Sequence, residues 1–546
     1  MGQSGSDSLG ALGDDGAEGR PVPRTGQGRG APPETTERDL CMKRLDLNPL
    51  WLAVVALGFN SCGGDDGGGG GDTMSGGITV TASAGMTGGL DDGTASAADE
   101  TGEKLDAGGG NSDSNGVGCD NGDVGCTDQI DLLFVIDNSG TMGEEQLNLA
   151  RNFPLLIEKL ESLEDSAGNP VNPDVQIMVT TTDFGNRLCT QFEPKGYDPS
   201  EGGPVTTACT ARLNDFTDLT GQNSVPEACQ NVCPNDAAPS GNFIAFQGDT
   251  NNVTDVPETD VSGDGVPDSA VAQALACIGP QGINGCGYES PLENMMQALD
   301  PTASWNNGAA PFLRPNALLA IAIITDEADC SVMEYTIMQD ENLQETNPDN
   351  GNKQASSAIC WNAGVECTGG PDANGAYAEC HSRDMAGMQP VSRYTNYLVQ
   401  QLREVENKEV IMLGILGVPE VTEHNPNPPF QPTAGGVFAL EYRNWRDGEY
   451  PTNGDILPDE FATGETAADK QFDFGIGPGC TGGDAVNGFT GQAIPPVRIK
   501  EVCESLNLDD TAEGTRCCIE SICDDDFSAA INCLTGIIGQ AIQPAG

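Results

Sequence analysis

Residues 130–141 read IDLLFVIDNSGT, and this stretch decides the fold. Apart from Asp131, residues 130–136 form a continuous apolar run. Such a run suits a central parallel strand buried between two layers of helices. It stops at Asp137-Asn138-Ser139-Gly140-Thr141, a cluster of short oxygen-bearing side chains. Open α/β sheets bind their ligands outside the carboxyl ends of their strands, which is where this cluster falls.

The pattern continues outward. Residues 144–163 place Leu147, Ala150, Phe153, Ile157 and Leu160 at helical spacing, interrupted by Pro154. Val175, Ile177 and Val179 mark a second strand, and residues 291–299 a short helix. Residues 317–324 (ALLAIAII) are a third strand, apolar on both faces. Tyr394, Tyr397, Leu398, Leu402 and Val405 define a helix, residues 410–416 (VIMLGIL) a fourth strand, and residues 527–542 a closing helix. Strands alternating with helices predict an α/β fold: a doubly wound, mostly parallel sheet flanked by helices. Three long irregular inserts, at about 184–284, 330–390 and 418–494, interrupt the 119–546 domain and hold many of the cysteines.

The third strand ends in Thr325-Asp326-Glu327, a carboxylate at the same edge as Asp137. A D-x-S-x-T pattern closing one apolar strand, with a second apolar strand ending in Asp, resembles the von Willebrand factor type A family and its metal-ion-dependent adhesion site. The resemblance spans residues 119–546 apart from the inserts. It implies a vWA/Rossmann-like fold and a Mg²⁺ ion (or Mn²⁺ or Ca²⁺) at the strand ends. It also implies that a macromolecular partner, a protein or surface ligand, binds through that ion and completes its coordination with an acidic residue.

The chemistry of the residues agrees with that implication. Mg²⁺ takes about six hard oxygen ligands in a tight octahedron and keeps several waters. The hydroxyls of Ser139 and Thr141 are short enough to reach the ion directly, Asp137 and Asp326 can hold its waters, and Gly140 lets the loop turn sharply. The plainer alternative has Asp137 capping the next helix and the hydroxyls satisfying loop amides. Capping, however, does not call for a second carboxylate at another strand end. In the family a Thr from the loop before the next helix also contacts the ion. Here that loop, GCGYESPLENM over residues 285–295, has no Thr, and Glu289 takes its place with Ser290 beside it. Ser290, Pro291 and Glu293 have the spacing of an N-cap, a first-turn proline and a capping box, which leaves Glu289 to face the ion. Asp183, closing TTTDFG, is read as a turn residue or an acidic neighbour of the ion, and Asp329 as loop structure.

A second cation site is a candidate at residues 260–268, DVSGDGVPD. Asp260, Ser262, Asp264 and Asp268 recur at calcium-loop spacing, with Gly265 at the turn and Val266 offering a carbonyl to Ca²⁺. The twelfth position is Val271 rather than the bidentate Glu of an EF-hand, so the loop is closer to thrombospondin type 3 calcium loops.

Composition narrows the function. The formal net charge is −59, which repels phosphate backbones, so nucleic acid is not an expected partner. Two histidines and the absence of HExxH, GxSxG and GxxxxGK[ST] motifs remove the common metallohydrolase, serine-hydrolase and P-loop readings. No nucleophile–base pair is visible, and an enzyme is not expected.

Twenty cysteines fit an oxidising compartment. Beyond Cys41 and Cys62, eighteen remain, enough for nine disulfides. Proximity pairs Cys119 with Cys126, and Cys360 with Cys367 or Cys380. A zinc or redox site at Cys229/Cys233 or Cys517/Cys518 is disfavoured, because no CxxC pair or nearby histidine supports it.

Residues 42–62 carry Lys43, Arg44 and an apolar run of signal-peptide length that ends at Ser61-Cys62. This resembles a bacterial lipoprotein signal, which implies lipidation of Cys62, although Phe59-Asn60 departs from the usual residues. A signal belongs at the N-terminus, so Met42 is the expected start and residues 1–41 a mis-called extension. Gly63 rather than Asp after the cysteine favours the outer membrane or cell surface, with membrane contact only through the lipid. Residues 63–118, with 19 Gly, ten acidic residues and no aromatics, are expected to be a disordered tether. The expected function is a cell-envelope lipoprotein that binds a partner through a cation. The alternative is a scaffold lipoprotein whose disulfide-rich inserts make the contacts, with a purely structural metal.

Overall fold

The computed structural model describes residues 128–165, 168–189, 197–218, 224–384, 387–484 and 488–542. The 1–41 extension, the signal segment with Cys62, the 63–118 tether and the Cys119–Cys126 pair lie outside the described residues.

Seven strands form the central sheet: β1 (Gln129–Ile136), β2 (Asp174–Thr181), β3 (Ile244–Gln247), β4 (Thr250–Asn251), β5 (Leu318–Ile324), β6 (Val410–Leu416) and β7 (Cys517–Ser521). Their order is β7-β6-β5-β1-β2-β3-β4. The five long strands run parallel, and the short β3–β4 hairpin closes one edge antiparallel. The fold is therefore α/β with a mostly parallel sheet.

Side-chain alternation explains why helices cover both faces. Leu132, Phe134 and Ile136 of β1 pack with α1 (Gly143–Glu161), α2 (Ala270–Ile278) and α6 (Ser528–Ala541). Leu133 and Val135 point the other way, onto α3 (Pro291–Ala298), α4 (Val391–Thr395) with its π-helical continuation Asn396–Val405, and α5 (Val497–Glu504). β5 and β6 split between the two faces in the same way. A strand buried on both sides cannot alternate with polar residues, and that is why it reads as an apolar run.

Several expectations are corrected. Pro154 does not interrupt α1; the helix runs straight through it. A helix-interior proline costs about 3 kcal/mol. Burial of Leu149, Phe153, Leu156, Ile157 and Leu160 on the sheet, at about 1.5–3 kcal/mol each, exceeds that cost. The 184–284 insert is not all irregular, since it supplies β3 and α2 to the core and the exposed β4 to the sheet edge. Cys360 pairs with Cys330, and Cys367 with Cys380, so the expectation that Cys360 pairs with Cys367 or Cys380 fails. Cys229 and Cys233 bond separately to Cys209 and Cys277, and Cys517 and Cys518 to Cys503 and Cys533. With Cys189–Cys286 and Cys480–Cys523, every cysteine among the described residues is in a disulfide. Such density marks an exported chain that folds under oxidising conditions. Among the described residues no helix is long and apolar enough to cross a membrane.

Candidate metal centre

Two neighbouring strands at the middle of the sheet deliver the centre. Ile136 of β1 lies in register with Ile324 of β5, so Asp137 and Thr325 leave the sheet side by side. The Asp137 amide donates to the Ile324 carbonyl (2.9 Å). One Asp137 oxygen accepts from the Ser139 amide (2.7 Å) and the other from the Thr325 hydroxyl. Thr141 Oγ1 donates to Asp326 Oδ2 at 2.5 Å and lies 3.5 Å from Ser139 Oγ. Asp137, Ser139, Thr141 and Asp326 are thus one connected group of oxygens. Gly140 does not adopt a left-handed φ, and a Cβ there would meet nothing within 4 Å. The turn therefore does not depend on glycine.

Glu289 enters from the loop between α2 and α3. That loop is held against the D-x-S-x-T turn by the Gly285 amide donating to the Asn138 carbonyl (2.7 Å), and against the segment after β2 by Cys189–Cys286. It is held against the end of β2 by the Ser290 amide donating to Thr182 (2.8 Å) and the Cys286 amide to Asp183 (3.2 Å). Glu289 is 1% exposed, and neither carboxyl oxygen has a hydrogen-bond partner. The Thr182 hydroxyl lies close enough to favour its charge but makes no bond of ordinary geometry. Asp326 Oδ1 is likewise buried without a partner.

Electrostatics sharpens the picture. Burial pushes Asp137, Asp183, Glu289, Asp326 and Glu327 above the usual carboxylate range, and Glu145 up to about 8. Mutual repulsion adds to this: Asp137 raises Asp326, Glu289 and Glu327, and Asp326 raises Glu145. Among the described residues, none of these six carboxylates makes an ion pair with Lys or Arg. In their ionised forms these carboxylates would need a positive counter-charge, because an unpaired buried charge costs several kcal/mol. The donor set also fits: two hydroxyls with acidic oxygens around them suit a hard divalent ion. Among the described residues no three His, Cys, Asp or Glu side chains converge as a metal-binding cluster. Any ion held here relies on the hydroxyls of Ser139 and Thr141 for part of its shell.

Some residues went unread in the sequence. Thr325, taken only as part of a strand end, orients Asp137. Asn138 donates to Tyr197 Oη, which donates to Asp183 (both 2.8 Å), so Asp183 belongs to the cluster's hydrogen-bond network as well as its turn. Ser290 sits at the start of α3 but donates to the Cys330 carbonyl (3.0 Å) instead of capping. Glu293 turns to Arg393 (2.8 Å) and Tyr394 (3.1 Å), so there is no capping box. The first amides of α3 are taken by Asp329 and Ser331, and Asp329 is bonded to Arg498 (2.8 Å).

The 260–268 loop stands apart. Asp260 accepts from the Gly263 and Gly265 amides (2.6 and 2.9 Å), Asp264 from Val266 (2.7 Å), and Asp268 from Val261 and Ser262 (2.7 and 3.1 Å). These acidic side chains close the loop on its own backbone, and Val266 is 60% exposed. No known family model, curated protein or solved structure matches the chain.

Proposed function

We propose that the protein is a von Willebrand A-type, lipid-anchored cell-envelope protein. It binds a divalent cation, Mg²⁺ first among candidates, through Ser139 and Thr141, with Asp137, Asp326 and Glu289 supplying charge and water-mediated contacts. Through that ion it engages a macromolecular partner and performs no catalysis of its own. One observation carries the reading: buried carboxyl oxygens of Glu289 and Asp326 have no partner, beside Asp137, in a cluster with no paired Lys or Arg. Uncompensated buried carboxylates are retained where something binds them.

Mg²⁺ calorimetry on the purified chain tests the ion. Binding by the wild type, with marked loss in Asp137→Ala and in Glu289→Ala, is the expected result. Unchanged affinity in Glu289→Ala would remove that residue from the centre. Partner capture from envelope extracts in Mg²⁺ and in EDTA tests the interaction. Capture that survives EDTA assigns the contacts to the disulfide-braced inserts and leaves any metal a structural role. Mass spectrometry of the mature N-terminus tests the anchor, with a diacylglyceryl-cysteine at Cys62 expected.

A further inference from the structure

Beside Thr141 and Asp326 the surface opens into a groove between the start of α1 and the chain following β7. Its acidic residues are Glu144 and Glu145 on α1, Asp326, and Asp524 and Asp525 beyond β7; Arg151 is its one basic lining residue. Leu147, Ala493 and Ile522 give it an apolar floor. The groove is braced. Asn148 Nδ2 donates to the Asp524 carbonyl (3.1 Å), and Cys480–Cys523 ties a second wall, the antiparallel hairpin of Cys480–Asp484 and Gly488–Ala493, to the same loop.

The acidic rim does not satisfy itself. Asp326, 7% exposed, and Glu145 both line the groove, and each keeps a buried carboxyl oxygen, Oδ1 and Oε2, without a partner. A single divalent ion at Ser139 and Thr141 cannot neutralise the candidate ligands and this rim together. The remaining charge faces a groove with a greasy floor. That combination matches one kind of side chain: a long apolar stem carrying a cationic head. A bare second ion would leave the floor unused.

We infer that this groove is where a Lys- or Arg-bearing segment of the macromolecular partner docks, next to the cation. The inference rests on the cation-dependent partner binding proposed above and specifies the partner's chemistry. The stems lie on Leu147 and Ile522, and the cationic heads meet the Glu144, Asp524 and Asp525 carboxylates. Gly491 on the hairpin wall leaves room for the segment's backbone, since a Cβ there would meet only Glu145 Oε1, at 3.9 Å.

The probe is a fluorescein-labelled hexalysine peptide, followed by anisotropy with the full chain in Mg²⁺ at physiological salt, where weak long-range attraction to a −59 protein is screened. Three variants are compared: Glu144→Gln/Asp525→Asn in the groove, Gly491→Leu as a charge-neutral plug, and Asp459→Asn/Glu513→Gln at exposed sites elsewhere. About tenfold or greater loss of peptide affinity in the first two, with none in the third, is expected. Equal loss in groove and control pairs, an inert plug, or no peptide binding by the wild type would overturn the proposal. Mg²⁺ calorimetry on the same variants keeps the two readings apart. Retained Mg²⁺ affinity with lost peptide binding indicts the groove alone. Peptide binding by a chain that takes no Mg²⁺ indicts the metal centre and leaves the groove standing.

Discussion

Asp131 within β1 and Asp326 just beyond β5 are both buried aspartates, and their desolvation is handled in opposite ways. Asp131, on β1 away from the candidate centre, receives Arg314 Nε at 2.7 Å and has Lys408 Nζ at 3.6 Å. Burial raises its pKa, and the two cations oppose that rise. Removing one member of such a group strands the others. Asp131→Ala is therefore expected to destabilise the fold by about 3–5 kcal/mol in denaturant unfolding, because Lys408 would be left buried without its carboxylate. Asp326 has only the Thr141 hydroxyl and one oxygen with no partner. Asp326→Asn removes no ion pair, so in chelator its stability is expected to match or exceed that of the wild type. In Mg²⁺ the order reverses. A ligand at a hundred times its Kd adds about 2.7 kcal/mol to the wild type, and the variant forfeits most of it. Thermal melts of both proteins, with and without Mg²⁺, decide the matter; a Tm loss for Asp326→Asn in chelator as large as in Mg²⁺ would point to a purely structural aspartate.

At the scale of elements, legibility followed burial. β1, β5 and β6 are readable because a strand covered on both faces must be apolar throughout, and the apolar run 410–416 coincides with β6 end to end. β7 is not, because its CCIES carries two cysteines and Glu520, which meets His424 of the Val421–His424/Pro432–Gly435 hairpin at 3.0 Å. α2, AVAQALACI, is buried nearly all round, so it has no polar face to give a period. The centre was half legible. D-x-S-x-T and Asp326 sit on a local pattern, whereas the Thr325–Asp137 bond depends on β1–β5 register, and Glu145 reaches Asp326 only once α1 packs. Disulfide pairing was the least legible, since it joins residues that folding brings together from up to 97 positions apart. Those bridges also carry a prediction. Cys480–Cys523 closes 43 residues, and by loop-closure entropy its removal costs up to about 4 kcal/mol. Cys480→Ser/Cys523→Ser is expected to fall by up to that amount, with faster amide exchange confined to the 480–493 hairpin. Exchange accelerated evenly across the sheet would mean the bridge supports the core and not the groove wall.

For the whole molecule, the balance of 83 acidic against 24 basic residues makes stability a function of both pH and cations. Burial pushes Glu145, Asp473 and Glu520 up to about 8 from ordinary values of 4.5, 3.8 and 4.5. A raised carboxyl pKa means the folded state holds a proton that the unfolded chain has already released. The stabilising contribution is complete below the unfolded value and is lost as pH rises through the folded one. His424, held below its ordinary 6.5 by burial, works in the opposite sense: it loses stability as pH falls, but it is one group against three. In chelator, Tm is therefore expected to decline as pH rises from about 4.5 to 8. On the proposed reading Mg²⁺ binds the ionised forms of Asp137, Glu289 and Asp326, which burial raises as well, so its stabilising effect grows over the same interval and flattens the decline. Melts across that range, with and without saturating Mg²⁺, give two curves expected to diverge toward high pH. Parallel curves would show that the ion does not act on Asp137, Glu289 and Asp326, and a chelator curve that climbs with pH would show that burial does not hold the raised carboxyls neutral.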